Sequence, residues 1–84
     1  MADIFIKDEG FAQVRIHNNP KAAKWAHEQG YKNSLERFGK EFAGEPVWYP
    51  GMENGVYYFG LTPEMVPPFI KAAEFAGLTV ESEF

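Results

Sequence analysis

The sequence predicts an α+β domain built as a two-layer sandwich, in which an antiparallel-rich sheet of about five strands carries helices on one face. Three observations lead to this fold class. Both ends of the chain alternate between apolar and polar residues, two segments carry helix start and stop signals, and an aromatic-rich stretch lies between those segments. With 84 residues, of which 45% are hydrophobic, the chain should form a single domain spanning residues 1–84.

Two short segments with period-two alternation open the chain. Asp3–Lys7 and Phe11–His17 are joined by a three-residue loop that ends in Gly10, as in a β-hairpin. One side-chain series is apolar and should face the core; it consists of Ile4, Ile6, Ala12, Val14 and Ile16. The other series should face away from the core and consists of Phe5, Lys7, Phe11, Gln13, Arg15 and His17.

A helix should begin at Asn19, because an Asn N-cap accepts a backbone N–H and the proline that follows gives up a donor that would be unpaired. Gly30 should end this helix. A second short helix is predicted from Asn33, where Glu36 completes a capping-box-like pair, to Gly44. The alternative is one helix interrupted at Gly30, and the pattern does not decide between them.

The aromatic-rich stretch Glu45–Leu61 is predicted to be a central β-hairpin. Two apolar runs, Val47–Tyr49 and Val56–Phe59, flank the turn-forming dipeptides Pro-Gly and Asn-Gly. Glycine and asparagine supply the positive φ angles that tight turns need. Both side-chain series of the second run are apolar, so the sequence leaves open which of them faces the helices.

The segment after this hairpin should form the last helix, starting from the threonine, proline and glutamate at residues 62–64. Pro67 and Pro68 lack the N–H for an intrahelical bond, so either the helix kinks there or a single turn precedes a regular helix. Gly77 should end the helix. The tail Leu78–Phe84 alternates again and is predicted to be an edge strand. The packing face of the helix should consist of Phe69, Ala72, Ala73 and Ala76.

The predicted element order is therefore β-β-α(-α)-β-β-α-β. Without its first strand, this order matches the β-α-β-β-α-β pattern, so a ferredoxin-like variant is expected. Right-handed crossovers would place both helical regions on one face of the sheet.

Residue types needed for catalysis are scarce, and we expect no enzyme, no cofactor and no bound metal. The sequence has no cysteine, and its two histidines, His17 and His27, lack the spacing of a zinc-binding helix. The glycine-bearing turns precede a strand, whereas a phosphate loop needs a following helix. No apolar run approaches the length of about 18 residues that a membrane-spanning helix needs. Because no basic segment precedes an apolar one at the start, we expect a cytoplasmic protein without membrane partners.

The favoured hypothesis is a non-enzymatic protein-binding domain. If helices cover one sheet face, the other face carries side chains that are unusually large for a solvated surface, and aromatic residues with arginine are typical of binding hot spots. The candidates are Phe5, Phe11, Arg15, His17 and Tyr57. Alternatives stay open: these rings pack against a loop or simply broaden the core, or the face pairs with a second copy in a homodimer.

Charge is distributed unevenly along the chain and favours an accessory or inhibitory role. The net charge is −4, with +2 in residues 1–40 and −6 in residues 41–84. A clustered acidic C-terminal half, with Glu81 and Glu83 as candidates, would place carboxylates where phosphates sit in the groove of a nucleic-acid-binding protein partner. The loop tip at Met52 and Glu53 is a further candidate, because loops on rigid scaffolds often bind. A solubilising surface and a plain connecting turn are the simpler interpretations.

Single-stranded nucleic-acid binding is the alternative hypothesis. Residues 4–6 and 55–59 resemble the two aromatic strand motifs of RNA-recognition domains, where outward rings stack on bases. Phe5, Phe11 and Tyr57 would form such a platform here. Three features oppose it: Asn54 stands where a basic residue is expected, an additional strand precedes the first helix, and the net charge is negative.

Overall fold

The computed structural model describes residues 2–35 and 44–84, which contain four strands and two helices of an α+β fold. In chain order these are β1 (Ile4–Asp8), β2 (Ala12–His17), α1 (Pro20–Glu28), β3 (Val56–Leu61), α2 (Val66–Phe75) and β4 (Val80–Ser82). A short 3-10 turn at Pro63–Met65 leads into α2. The predicted α+β class is confirmed.

The four strands form one mixed sheet in the order β3-β2-β1-β4. β2 pairs antiparallel with both of its neighbours, whereas β4 runs parallel to β1. The prediction of five strands in a ferredoxin-like order is not confirmed for the described residues, because β1 and β2 pair directly as a hairpin and β3 lies at an edge. α2 connects β3 at one edge of the sheet with β4 at the other.

One face of the sheet carries both helices and the main core, as predicted. Val14 on β2 pairs with Ile6 on β1 and with Phe59 on β3, so the inner series of three strands meet on this face. Both helices bury one side against it, through Ala22, Ala23 and Ala26 of α1 and Val66, Phe69 and Ala73 of α2. The small residues of α1 allow this helix to lie close to the sheet.

Aromatic rings fill the space between β3 and the helices. Phe59 stacks against Tyr31 with the ring centroids 4.7 Å apart, and it meets Phe69 edge-to-face at 5.6 Å. Tyr57 meets the buried Trp48 edge-to-face at 5.8 Å. Each such pair adds about 0.5–1.5 kcal/mol beyond the burial of its area. The series of β3 that faces the helices is therefore the one that contains Tyr57 and Phe59.

The stretch before β3 is not the first strand of a hairpin, which corrects the prediction. Val47 forms a single parallel bridge with Val56. Between them the chain reverses twice, once in a turn closed by the Met52 N–H and the Tyr49 carbonyl at 3.0 Å, and again at Gly55. Two reversals make the flanking segments run in the same direction, which excludes an antiparallel hairpin.

The outer edge of β3 is bonded by groups from outside the sheet. The Asn33 side chain donates to the Val56 carbonyl and accepts from the Tyr58 N–H, both at 3.1 Å. The Ser34 N–H donates to the Tyr58 carbonyl at 2.5 Å, and the Pro46 carbonyl accepts from the Val56 N–H at 2.9 Å. These bonds take the place of the fifth predicted strand, since buried backbone groups need partners.

Asn19 caps α1 as predicted, and its side chain also joins the helix to two strands. Its Oδ1 accepts from the Ala22 N–H at 3.1 Å, while its Nδ2 donates to Asp3 Oδ1 at 2.8 Å. Asp3 Oδ2 accepts from the Thr79 N–H at 2.9 Å. One carboxylate thereby connects the start of β1, the start of α1 and the residue before β4. The helix ends before Gly30, which has a φ of 92°; the second helix predicted within residues 33–44 falls mainly outside the described residues.

A 3-10 turn at Pro63–Met65 precedes α2, and Pro67 and Pro68 lie in the first turn of α2. This is the second of the two predicted alternatives. Gly77, with a φ of 83°, follows the end of α2 and terminates the helix as predicted. The predicted packing face is correct for Phe69 and Ala73, which are buried. It is wrong for Ala72 and Ala76, which are exposed, because α2 turns that side away from the sheet.

Gly55→Ala should destabilise the fold strongly. Gly55 has a φ of 153°, and an added Cβ would lie 3.1 Å from the Pro46 carbonyl oxygen and from the Trp48 backbone. Backbone strain and overpacking together should cost roughly 2–4 kcal/mol of unfolding free energy. Gly51→Ala is the matched control: it has positive φ but open space around the Cβ, so it should cost about 1–2 kcal/mol. Chemical denaturation of both variants measures the difference, and equal losses would contradict the steric account.

Protonation of Asp3 should weaken the connection between β1, α1 and β4. The Thr79 backbone N–H, followed by the Asn19 side chain, lowers the pKa of Asp3 below its ordinary value of 3.8. The folded state therefore binds this proton less readily than the unfolded state, so the stabilisation is complete above pH 3.8 and disappears as the pH falls through the folded pKa. Denaturation of wild type and Asp3→Asn should show a gap at neutral pH that closes at low pH, whereas a gap independent of pH would refute the assignment.

Candidate binding surfaces

The sheet face opposite the helices is exposed around Phe5. The register places Phe5 on β1 directly between Arg15 on β2 and Glu81 on β4. Lys7 lies two residues further along β1 and therefore on the same face of the sheet. Phe5 is 37% exposed, so its ring stays partly in contact with solvent. We call this group, consisting of Phe5, Lys7, Arg15 and Glu81, the Phe5 patch.

The cationic side chains of the Phe5 patch are held by neighbouring groups. The Glu9 carboxylate lies 3.2 Å from the Lys7 ammonium and 3.7 Å from the Arg15 guanidinium. Arg15 Nε donates to Gln13 Oε1 at 2.5 Å, and the guanidinium carbon lies 5.9 Å from the centre of the Tyr58 ring. A partly buried arginine with this many contacts is oriented before any partner arrives.

The β3 half of this sheet face is covered by the chain itself. Val56 and Tyr58 are buried there, and Phe11 and Leu35 pack against them as a second, smaller core. The Phe11 ring lies over Gly60, where an added Cβ would be 3.2 Å from two of its carbon atoms. For this half, the alternative in which the rings broaden the core is the correct one.

Tyr57 does not lie on this face, which corrects its assignment as an exposed binding residue. It is 1% exposed in the main core, and its hydroxyl donates to the Tyr31 carbonyl. Burial raises the pKa of the Tyr57 phenol. The stacking platform predicted from Phe5, Phe11 and Tyr57 is therefore not formed, because only Phe5 combines the outward orientation with substantial exposure.

His17 lies at the end of β2, on the same face as the Phe5 patch. Its Nδ1 is 3.3 Å from the Glu45 carboxylate, and its ring meets Tyr58 edge-to-face with the centroids 6.2 Å apart. His17 therefore closes the edge of the smaller core and remains exposed on its outer side.

The acidic side chains of the C-terminal half do not form one cluster. Glu83 accepts from the Asp8 backbone N–H at 2.6 Å, and Glu81 lies beside Phe5, so the carboxylates of Glu81 and Glu83 share the β4 edge of the sheet. Glu45 lies instead beside His17, on the far side of β2 from this edge. Glu74 lies on α2, in the other layer of the fold. What remains of the predicted acidic face is an acidic edge formed by Glu81 and Glu83.

The loop tip places Met52 and Glu53 in different surroundings. Met52 packs against the main core, and its sulfur lies 3.2 Å from the Tyr49 nitrogen. Glu53 is exposed. Met52 therefore anchors the loop, and Glu53 is the exposed one of the two predicted residues.

A second exposed surface lies in the helix layer and was not predicted from the sequence. A groove of about 470 Å³ runs between α1 and α2 and continues into one of about 310 Å³; Trp25, Gln29 and Ala76 line both. We call the two together the helix groove. Phe75 lines it and is 95% exposed. The available signal was the spacing of three and four residues along the exposed apolar residues Met65, Pro68, Ala72 and Phe75.

The described part of the chain was also compared with the requirements of a metal site and of a membrane-spanning helix. No three histidine or carboxylate side chains within residues 2–35 and 44–84 lie together as a metal ion would need. In the same residues, no helix combines the length and the apolar character needed to cross a membrane. No protein-family model, curated protein or solved structure matches this chain.

Proposed function

We propose that this chain is a non-enzymatic, cytoplasmic protein-binding domain that acts as an accessory or inhibitory protein by placing the Phe5 patch on a partner protein. The observation that carries the proposal is the exposure of Phe5 between a fixed arginine and a glutamate on adjacent strands. An aromatic ring that stays partly solvated in a chain this small is available to a partner instead of the core.

The backbone beneath the patch supports this role. β1 lies inside the sheet and is paired on both sides, so Phe5 is presented by a rigid strand instead of a loop. Arg15 loses little further freedom on binding because Glu9 and Gln13 already orient it. Hot spots combine an aromatic or arginine anchor with such preorganisation, which reduces the entropy cost of association.

The acidic edge beside the patch indicates the chemistry of the partner. Glu81 and Glu83 flank Phe5 on the β4 side and would complement a basic surface. Nucleic-acid-binding proteins carry such surfaces, so occupation of one by this edge would exclude nucleic acid. Repulsion between these carboxylates and phosphates opposes direct binding of nucleic acid to the patch.

The proposal is tested by affinity capture from the native host's lysate, with and without nuclease, and quantification of captured proteins by mass spectrometry. We expect a stoichiometric protein partner that survives nuclease treatment. Phe5→Ala should weaken the partner's apparent affinity by about 30-fold, the equivalent of a hot spot of ~2 kcal/mol. Glu81→Lys should weaken capture as well, and more strongly at low salt.

Tyr49→Ala is the matched control, because it removes another exposed ring, 62% exposed, far from β1 and β4 in the sequence and outside the sheet. It should capture the partner as wild type does, with thermal melting confirming that all variants fold. Capture by Phe5→Ala at the wild-type level would overturn the proposal. Recovery only of nucleic acid, or of proteins lost on nuclease treatment, would also overturn it and would indicate nucleic-acid binding through a surface other than the predicted three-ring platform.

A further inference from the structure

The helix groove combines an apolar floor with an exposed aromatic side chain. Its floor is formed by Trp25, Pro68, Ala72 and Ala76, of which the alanines leave room for close approach. Phe75 stands beside them with almost its entire side chain in solvent. Such a side chain contributes nothing to the core of its own chain, whereas its burial by a partner would be favourable.

The rim of the helix groove is positively charged, although the chain as a whole is acidic. Lys21, Lys24 and Lys71 line it, and Glu28 is the acidic residue among its described lining residues. None of these three lysines lies within ion-pair distance of another described residue, although the positive charge of Lys21 also contributes to the lowered pKa of Asp3. A local excess of positive charge on a chain of net charge −4 therefore surrounds an apolar floor.

We propose that the helix groove binds an acidic amphipathic helix of a partner protein. α1 has nine residues and α2 has ten, so each is about 15 Å long and together they form a cradle for two to three turns of a third helix. Apolar residues of the incoming helix would lie on Trp25 and Ala72 and against Phe75. Its carboxylates would face the three lysines of the rim.

A second copy of this chain fits the groove less well. A symmetric contact through the groove would bring two lysine-rich rims together, with only Glu28 on each copy to offset them. The helix groove is also independent of the Phe5 patch, since the groove lies in the helix layer and the patch lies on the sheet face opposite the helices.

The test uses three synthetic amphipathic peptides that share one leucine-based apolar face and carry glutamate, glutamine or lysine at every polar position. Binding is followed by the intrinsic tryptophan fluorescence, to which Trp25 and the buried Trp48 both contribute, and by backbone amide shifts in NMR, which report on each residue separately. The glutamate peptide should bind about tenfold more tightly than the glutamine peptide, the lysine peptide more weakly still, and added salt should reduce these differences. The shifts should map to α1 and α2.

Variants of the groove separate the apolar and the ionic contributions. Phe75→Ala should weaken binding of the glutamate peptide by about tenfold or more, and it should fold normally because the side chain is exposed. Lys24→Glu and Lys71→Glu should each weaken the glutamate peptide and strengthen the lysine peptide, whereas Glu28→Lys should do the opposite. Tyr49→Ala should bind all three peptides as wild type does.

Several results would overturn the proposal. These are equal affinity for the three peptides, no binding of the glutamate peptide at its solubility limit, shifts that map outside the helix layer, or full binding by Phe75→Ala. Self-association of the peptide-free protein that Phe75→Ala abolishes would assign the groove to a second copy and would also overturn it.

Discussion

The bonding of the outer edge of β3 is the constraint on which the rest of the structure depends. Asn33 pairs with the backbone of Val56 and Tyr58 through both polar atoms of its amide, in the way a neighbouring strand would. At the start of the strand, the Asn18 side chain accepts from the Gly55 N–H at 3.0 Å. With the first half of β3 held in this way, the strand has one register against β2, and every side chain on it is assigned to one face or the other.

This register determines which surfaces are left for function. It directs Tyr57 and Phe59 into the main core, and it directs Tyr58 to the opposite face, where Phe11 and Leu35 cover it. The covered half of that face cannot bind a partner without opening the smaller core. The exposed half, around β1 and β4, is therefore where the sheet can make contact, and the carboxylates at its edge give that contact a negative character.

The sequence predicts those parts of the fold that depend on local signals. The Asn19 cap, the inner series of β1 and β2, and the helix end at Gly77 each follow from a few neighbouring residues, and the structure confirms them. The prediction of a hairpin before β3 was wrong because turn-forming residues indicate that the chain changes direction but do not indicate the number of reversals. The face of Tyr57 could not be predicted, since both series of β3 are apolar and only the pairing with β2 distinguishes them. Phe75 was missed because the apolar spacing of α2 surrounds most of the helix, and position in the sequence does not show which side meets the sheet.

The two exposed surfaces lie on opposite sides of a sheet that neither of them disrupts. The acidic edge beside Phe5 and the lysine rim around Phe75 select for partners of opposite charge, so one partner could not occupy both through the same surface. If one partner contacted both surfaces, its second contact would form within the existing complex and would raise the overall affinity. The effective concentration of the second binding element would be set by the chain that joins the partner's two elements. Because the sheet separates the two surfaces, such a partner would have to reach around an edge. The β3 edge is already bonded by residues 33–34 and 46–48, so the β4 edge offers the shorter unobstructed route among the described residues.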